Sequence, residues 1–142
     1  MGTQQILLIV LSVIIVGIAV AVGITMFNAQ ATNSNRQAVI ADLNNFGSNA
    51  LAYYKTPASH GGGEKTMGGN AGDDLGKWLG FGYVVATNTL TTGNGTFVLS
   101  IAAGVATIVG TGTELGNDGA ANVNCTMTAT GSTSVITMVI NN

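Results

Sequence analysis

Charge, cysteine, histidine and proline are all scarce in this 142-residue chain, and each scarcity removes a class of function. Charged residues make up 7% of the sequence, against about 25% in an average soluble domain. Solubility outside any apolar segment must therefore rest on hydroxyls and amides, or on added sugar. The four cations, Arg36, Lys55, Lys65 and Lys77, are dispersed. No basic patch exists to follow a phosphate backbone, so no nucleic-acid partner is expected. The single cysteine, Cys125, rules out an intrachain disulfide and any Cys-x-x-Cys or haem-attachment motif. Its alternating neighbourhood, Val123-Asn124-Cys125-Thr126-Met127, reads as a buried small hydrophobe rather than an intermolecular bridge.

The one histidine, His60, stands beside three glycines and reads as a solvated loop residue. The chain contains no Gly-x-Ser-x-Gly elbow, no His-Glu-x-x-His pair and no phosphate loop ending in Gly-Lys-Ser/Thr. No catalytic residue, cofactor or metal is expected, and the chain is not read as an enzyme. Glu64, Asn70, Asp73 and Asp74 supply oxygen ligands in principle, but their spacing fits no EF-hand loop. Capping of a short helix over residues 75–79 by Asp73 and Asp74 is the preferred role.

What the chain does contain begins almost at once. Residues 6–27 are nearly all apolar and carry no charge. At about 1.5 Å per residue, a helix of this length crosses the roughly 30 Å hydrocarbon layer of a bilayer. Only Met1-Gly2-Thr3-Gln4-Gln5 precede it, without the positive start of a secretory signal. The nearest cation downstream, Arg36, lies well beyond the end of the run, so the flanking charge that orients a plain anchor is also missing. The economical expectation is that a short charged leader is removed upstream and that Met1 is the mature N-terminus.

The helix is expected to continue. Between residues 28 and 54 there is no proline, and Val39, Ile40, Leu43, Phe46, Gly47, Ala50, Leu51 and Tyr54 recur at spacings of three and four. One helix is thus predicted from near Thr3 to near Tyr54, apolar all round at first and amphipathic afterwards. Pro57 marks its end. Gly17 and Gly23 each weaken the apolar half by about 1 kcal/mol relative to alanine, which marks them as points of local melting or tight helix contact.

An uncharged five-residue start, an apolar run, an amphipathic continuation and a small Gly- and Thr-rich head together resemble a mature type IV pilin. The resemblance covers roughly the first 55 residues. It implies processing by a prepilin peptidase, methylation of the new N-terminal amine at Met1, and transient residence in the cytoplasmic membrane. An assembly ATPase and an inner-membrane platform would then move subunits into a homo-oligomeric helical filament with the apolar half-helices bundled at its axis. The resemblance puts Gln5 where most bacterial members carry glutamate, and offers Gly17 and Gly23 in place of the family's helix-breaking proline. It makes Gln5, Ile6, Leu7, Ile14, Gly17, Gly23 and Phe27 the assembly residues.

Past Pro57 the character changes. Residues 59–74 are glycine-dense and read as a long surface loop. Stretches 83–85, 96–101, 105–109, 123–128 and 135–140 are rich in β-branched residues and separated by turn signals, which predicts an antiparallel meander. One sheet face would cover Val39, Leu43, Phe46 and Leu51, with Trp78, Phe81 and Tyr83 sealing an edge of the core. Asn94-Gly95-Thr96 and Asn124-Cys125-Thr126 match the N-glycosylation pattern, and Asn94, placed in a turn, is the reasonable acceptor.

The expected architecture is α+β: an apolar half-helix over 1–27, then a head over 28–142. The head comprises an amphipathic half-helix (28–55), a Gly-rich loop (56–82) and a β-meander (83–142). The expected function is that of a structural subunit of an extracellular, adhesion- or motility-type filament on the cell surface. A pseudopilin of a secretion system and a single-pass anchored surface binding protein are the alternatives.

Overall fold

The computed structural model describes residues 2–68 and 73–142. Its frame is one α-helix, α1 (Gly2–Lys55), of 54 residues, about 80 Å long at 1.5 Å per residue. The helix runs through Gly17 and Gly23 without interruption. It ends where Thr56 N–H bonds back to the Ala52 carbonyl at 3.0 Å and Pro57 takes an extended conformation. Lys55 in the last turn opposes the dipole there.

The rest of the chain returns across the second half of α1. A short 3-10 turn (Ala58–His60) and a seven-residue helix α2 (Asp73–Leu79) precede five strands. These are β1 (Thr89–Thr92), β2 (Gly95–Ala102), β3 (Val105–Leu115), β4 (Asn122–Thr130) and β5 (Val135–Ile140). They pair antiparallel in sequential order, the α+β meander that the sequence predicts. The β2–β3 turn shows why the connections are tight. Ala103 and Gly104 both take positive φ, 49° and 78°, the combination whose twist matches a two-residue hairpin.

The core lies between one sheet face and one helix stripe. Val39, Leu43, Phe46, Ala50 and Tyr53 meet Leu90, Phe97, Leu99, Ala106, Ile108, Val123, Cys125, Met127 and Ala129, all buried. Strand alternation supplies the inward set, and helical spacing supplies the stripe. Phe46 holds the centre edge-on to Phe97 at 5.0 Å and to Phe81 at 5.2 Å. The helix comes close because Gly110 stands beneath it: a Cβ there would lie 2.8 Å from the Phe97 ring and 3.0 Å from Val39.

Three local expectations are revised. Residues 83–85 form no strand, and only Val84 makes an isolated bridge, to Thr89. Gly80, Phe81 and Gly82 all have positive φ, which turns the chain sharply just before that stretch, and the edge strand starts at Thr89 instead. Tyr53, absent from the predicted stripe, is buried, whereas Ile40, Leu51 and Tyr54 are partly buried beside it. Trp78 and Phe81 do not seal the core edge, being 40% and 47% exposed. Phe81 only lends a ring edge to Phe46, and Trp78 sits outside Tyr53 at 5.7 Å.

Candidate assembly surface

The first half of α1 stands clear of the head. Its large apolar side chains are exposed from Ile6 at 62% and Leu7 at 68% through Ile14 at 53% to Phe27 at 79%. Among the described residues nothing covers them. Two hydroxyls in this segment are satisfied within the helix itself: Ser12 Oγ donates to the Leu8 carbonyl at 2.7 Å and Thr25 Oγ1 to Val22 at 2.8 Å. That arrangement leaves neither hydroxyl wanting a partner in an apolar medium. By length and composition this helix is able to cross a membrane.

The residues expected to direct assembly all fall on this free segment. Gln5, Ile6, Leu7, Ile14 and Phe27 are exposed. Gly17 and Gly23 lie in the uninterrupted helix, and a Cβ at either would meet nothing within 4 Å. Met1 lies outside the described residues, as does Asn70 of the alternative calcium set. Of that set, Asp73 and Asp74 occupy the first turn of α2, where a carboxylate opposes the helix dipole. The Asp73 carboxylate accepts the Tyr83 hydroxyl at 3.3 Å. Burial, then the charge of Asp73, raises the Tyr83 pKa above its ordinary value. His60 is exposed, with Nδ1 3.1 Å from the Ser59 hydroxyl.

The free segment ends where a polar clamp begins. Thr32 Oγ1 donates to the Leu115 carbonyl at 2.9 Å. Asn35 Nδ2 donates to the Asn94 carbonyl at 3.0 Å, while Asn35 Oδ1 accepts the Thr113 N–H at 3.1 Å. Two turns further on, Asp42 Oδ2 accepts the Thr92 hydroxyl at 2.8 Å and the Asn94 amide at 2.9 Å. Asn35 and Asp42 hold the β1–β2 turn and the distal end of β3 against the helix. Sequence reading missed both residues. Their signal is the seven-residue spacing, which puts two short polar side chains on one helix face beside the apolar stripe.

A groove of about 460 Å³ opens at this junction, walled by Asn28, Ala29 and Thr32 on the helix and by Glu114, Leu115 and Gly116 on the sheet. Close by, Arg36 Nη1 donates to Asn33 Oδ1 at 3.3 Å, while Nε and Nη2 are buried and find no acceptor among the described residues. Cys125 is fully buried. Desolvation raises its thiol pKa, with the Arg36 charge opposing that shift. Asn94, the candidate glycosylation acceptor, is half-buried with its amide committed to Asp42. Among the described residues no group of three or more His, Cys, Asp or Glu side chains is arranged to hold a metal ion.

No family model, curated protein or solved structure matches this chain.

Proposed function

We propose that this chain is the structural subunit of an extracellular filament of the type IV pilus kind, assembled from identical copies through the apolar half of α1. One observation carries the reading. A single helix is buried by its own sheet in its second half and leaves every large apolar side chain of residues 6–27 in the open. Soluble monomers rarely expose a continuous apolar patch above a few hundred Å². Burying one Leu, Ile or Val side chain is worth about 1.5–3 kcal/mol relative to exposure, so a run of them demands a lasting apolar partner.

Two partners have the right chemistry: lipid before assembly and other copies of the same helix after it. Exchange between them is nearly balanced, because hydrocarbon and a helix bundle are similarly apolar. An inner-membrane assembly platform and a prepilin peptidase belong to the proposal on the strength of the resemblance to type IV pilins. Methylation at Met1 belongs to it as well, and intact-mass measurement tests it. In the bundle Gln5 offers a neutral amide oxygen to a neighbouring N-terminal amine, without the charge of a carboxylate. Glycopeptide mass spectrometry tests whether Asn94 carries sugar, although the fold commits its amide to Asp42.

Electron microscopy of material sheared from cells tests the central claim. Wild-type chains should appear as long filaments, and Ile14→Asp, which puts a charge into the apolar interface, should abolish them while the head stays folded. Detergent-extracted protein that stays monomeric, with no filament on cells, would favour a single-pass anchored binding protein.

A further inference from the structure

At the end of α1 opposite the apolar segment, roughly 70 Å from Ile6 along the helix, Trp78 is 40% exposed. It is the chain's only tryptophan. Its ring meets Tyr53 edge-on, with centroids 5.7 Å apart and planes at 62°. Together they wall a shallow groove of about 430 Å³ whose other sides are Gly61, Gly62, Asp74 and Lys77. Gly61 takes a positive φ of 77°, which favours glycine and leaves this wall without a side chain; a Cβ there would only touch the indole, at 3.9 Å. Asp74 and Lys77 stand three residues apart on α2, both exposed.

We propose that this groove binds a neutral saccharide, one pyranose ring seated against Trp78 with its hydroxyl rim reaching Asp74 and Lys77. A pyranose is amphipathic in the same sense as the groove. One face presents polarised C–H groups, which are drawn to the electron-rich face of an aromatic ring. Its rim carries hydroxyls that donate to a carboxylate and accept from an ammonium. The opposite charges of Asp74 and Lys77 leave the groove without a net charge to favour a simple cation or anion, while each group remains a hydrogen-bond partner for a hydroxyl. An uncharged, hydroxyl-rich ligand is left as the best match. The volume lies within the range of small-molecule sites, and its openness to solvent suits a weak contact with a dissociation constant on the order of 1 mM.

The inference stands apart from the filament reading, because the groove lies within one subunit and is testable without assembly. The test titrates the detergent-solubilised full chain with methyl galactoside, methyl mannoside, N-acetylglucosamine and lactose. Indole fluorescence reports Trp78 alone, and saturation-transfer NMR reports which sugar protons touch the protein. A saturable fluorescence change with at least one sugar is expected, with transfer concentrated on the C–H protons of one ring face. Trp78→Ala should abolish transfer, Trp78→Phe should keep a weaker signal, and Asp74→Asn should weaken binding several-fold with an unchanged circular dichroism spectrum. Trp78→Phe and Asp74→Asn keep the test decisive if the alanine variant misfolds. Absence of a saturable change with every sugar up to about 100 mM, transfer that persists in Trp78→Ala, or saturable binding of choline in place of the sugars would overturn the proposal.

Discussion

Asp42 Oδ2 accepts a hydrogen bond from Asn94 Nδ2 at 2.9 Å across 52 residues of sequence. The same oxygen takes the Thr92 hydroxyl at 2.8 Å, so this carboxylate binds two side chains of the β1–β2 turn while Asn35 holds the Asn94 carbonyl. Asp42→Ala removes both bonds and leaves two donors short of an acceptor in a part-buried site. The expected loss is about 2 kcal/mol, read as a lower unfolding midpoint of the detergent-solubilised chain. Asp42→Asn should recover part of it, since an amide oxygen still accepts.

Gly110 sets how closely the helix lies on the sheet. An alanine methyl there would press on Phe97 and Val39, both buried and both central to the core. Gly110→Ala should destabilise the head by about 1–3 kcal/mol through overpacking. Thermal unfolding measures it, and a shortened partner in Gly110→Ala/Val39→Ala should restore part of the midpoint if the clash is the cause.

Gly17 and Gly23 make the opposite prediction in an isolated subunit. Space around both is open, and alanine favours helix by about 1 kcal/mol over glycine. Gly17→Leu and Gly23→Leu should therefore leave the unfolding midpoint of the head unchanged. If copies pack at these glycines, the same variants should lower filament yield, so stability and assembly separate in one pair of measurements.

Asp118 gives the turn between β3 and β4 a pH dependence. Its Oδ1 accepts the Ala120 and Ala121 N–H groups at 3.0 and 3.1 Å and the Asn142 amide at 3.0 Å. The backbone bonds first, then Asn142, hold its carboxyl below the usual aspartate value. A carboxylate depressed in the folded state stabilises fully above its unfolded pKa of about 3.9. That contribution fades as pH falls below this value and through the lower folded one. Hydrogen exchange at Ala120 and Ala121 should accelerate in that acid window relative to neighbouring strand amides. In Asp118→Asn the acid-specific component should disappear.

Much of this architecture was legible because it rests on local periodicity. The apolar run of residues 6–27 and the three-four spacing after Asn28 place α1 within a residue or two of its observed ends, and alternation locates β2 to β5. Reading failed where a distant partner decides. Residues 83–85 have strand-forming side chains, yet three consecutive positive φ values at Gly80, Phe81 and Gly82 redirect the chain, and pairing begins at Thr89. Tyr53 and Tyr54 both continue the three-four spacing from Ala50, and packing chose Tyr53 for the core and left Tyr54 partly buried. Asn35 and Asp42 look like ordinary polar residues until the β1–β2 turn arrives over them.

The sequence by itself determined that this chain has an apolar helix too long and too uniform for its own small head to cover, since composition and a 3.6-residue period are local properties. Only the tertiary structure decided where covering stops. The clamp at Thr32, Asn35 and Asp42 joins atoms separated by 50 to 83 residues, and no local pattern encodes such a meeting. The same folding left Trp78 on the outside against Tyr53, because Phe97 of the sheet and Phe81 pack on Phe46 without it.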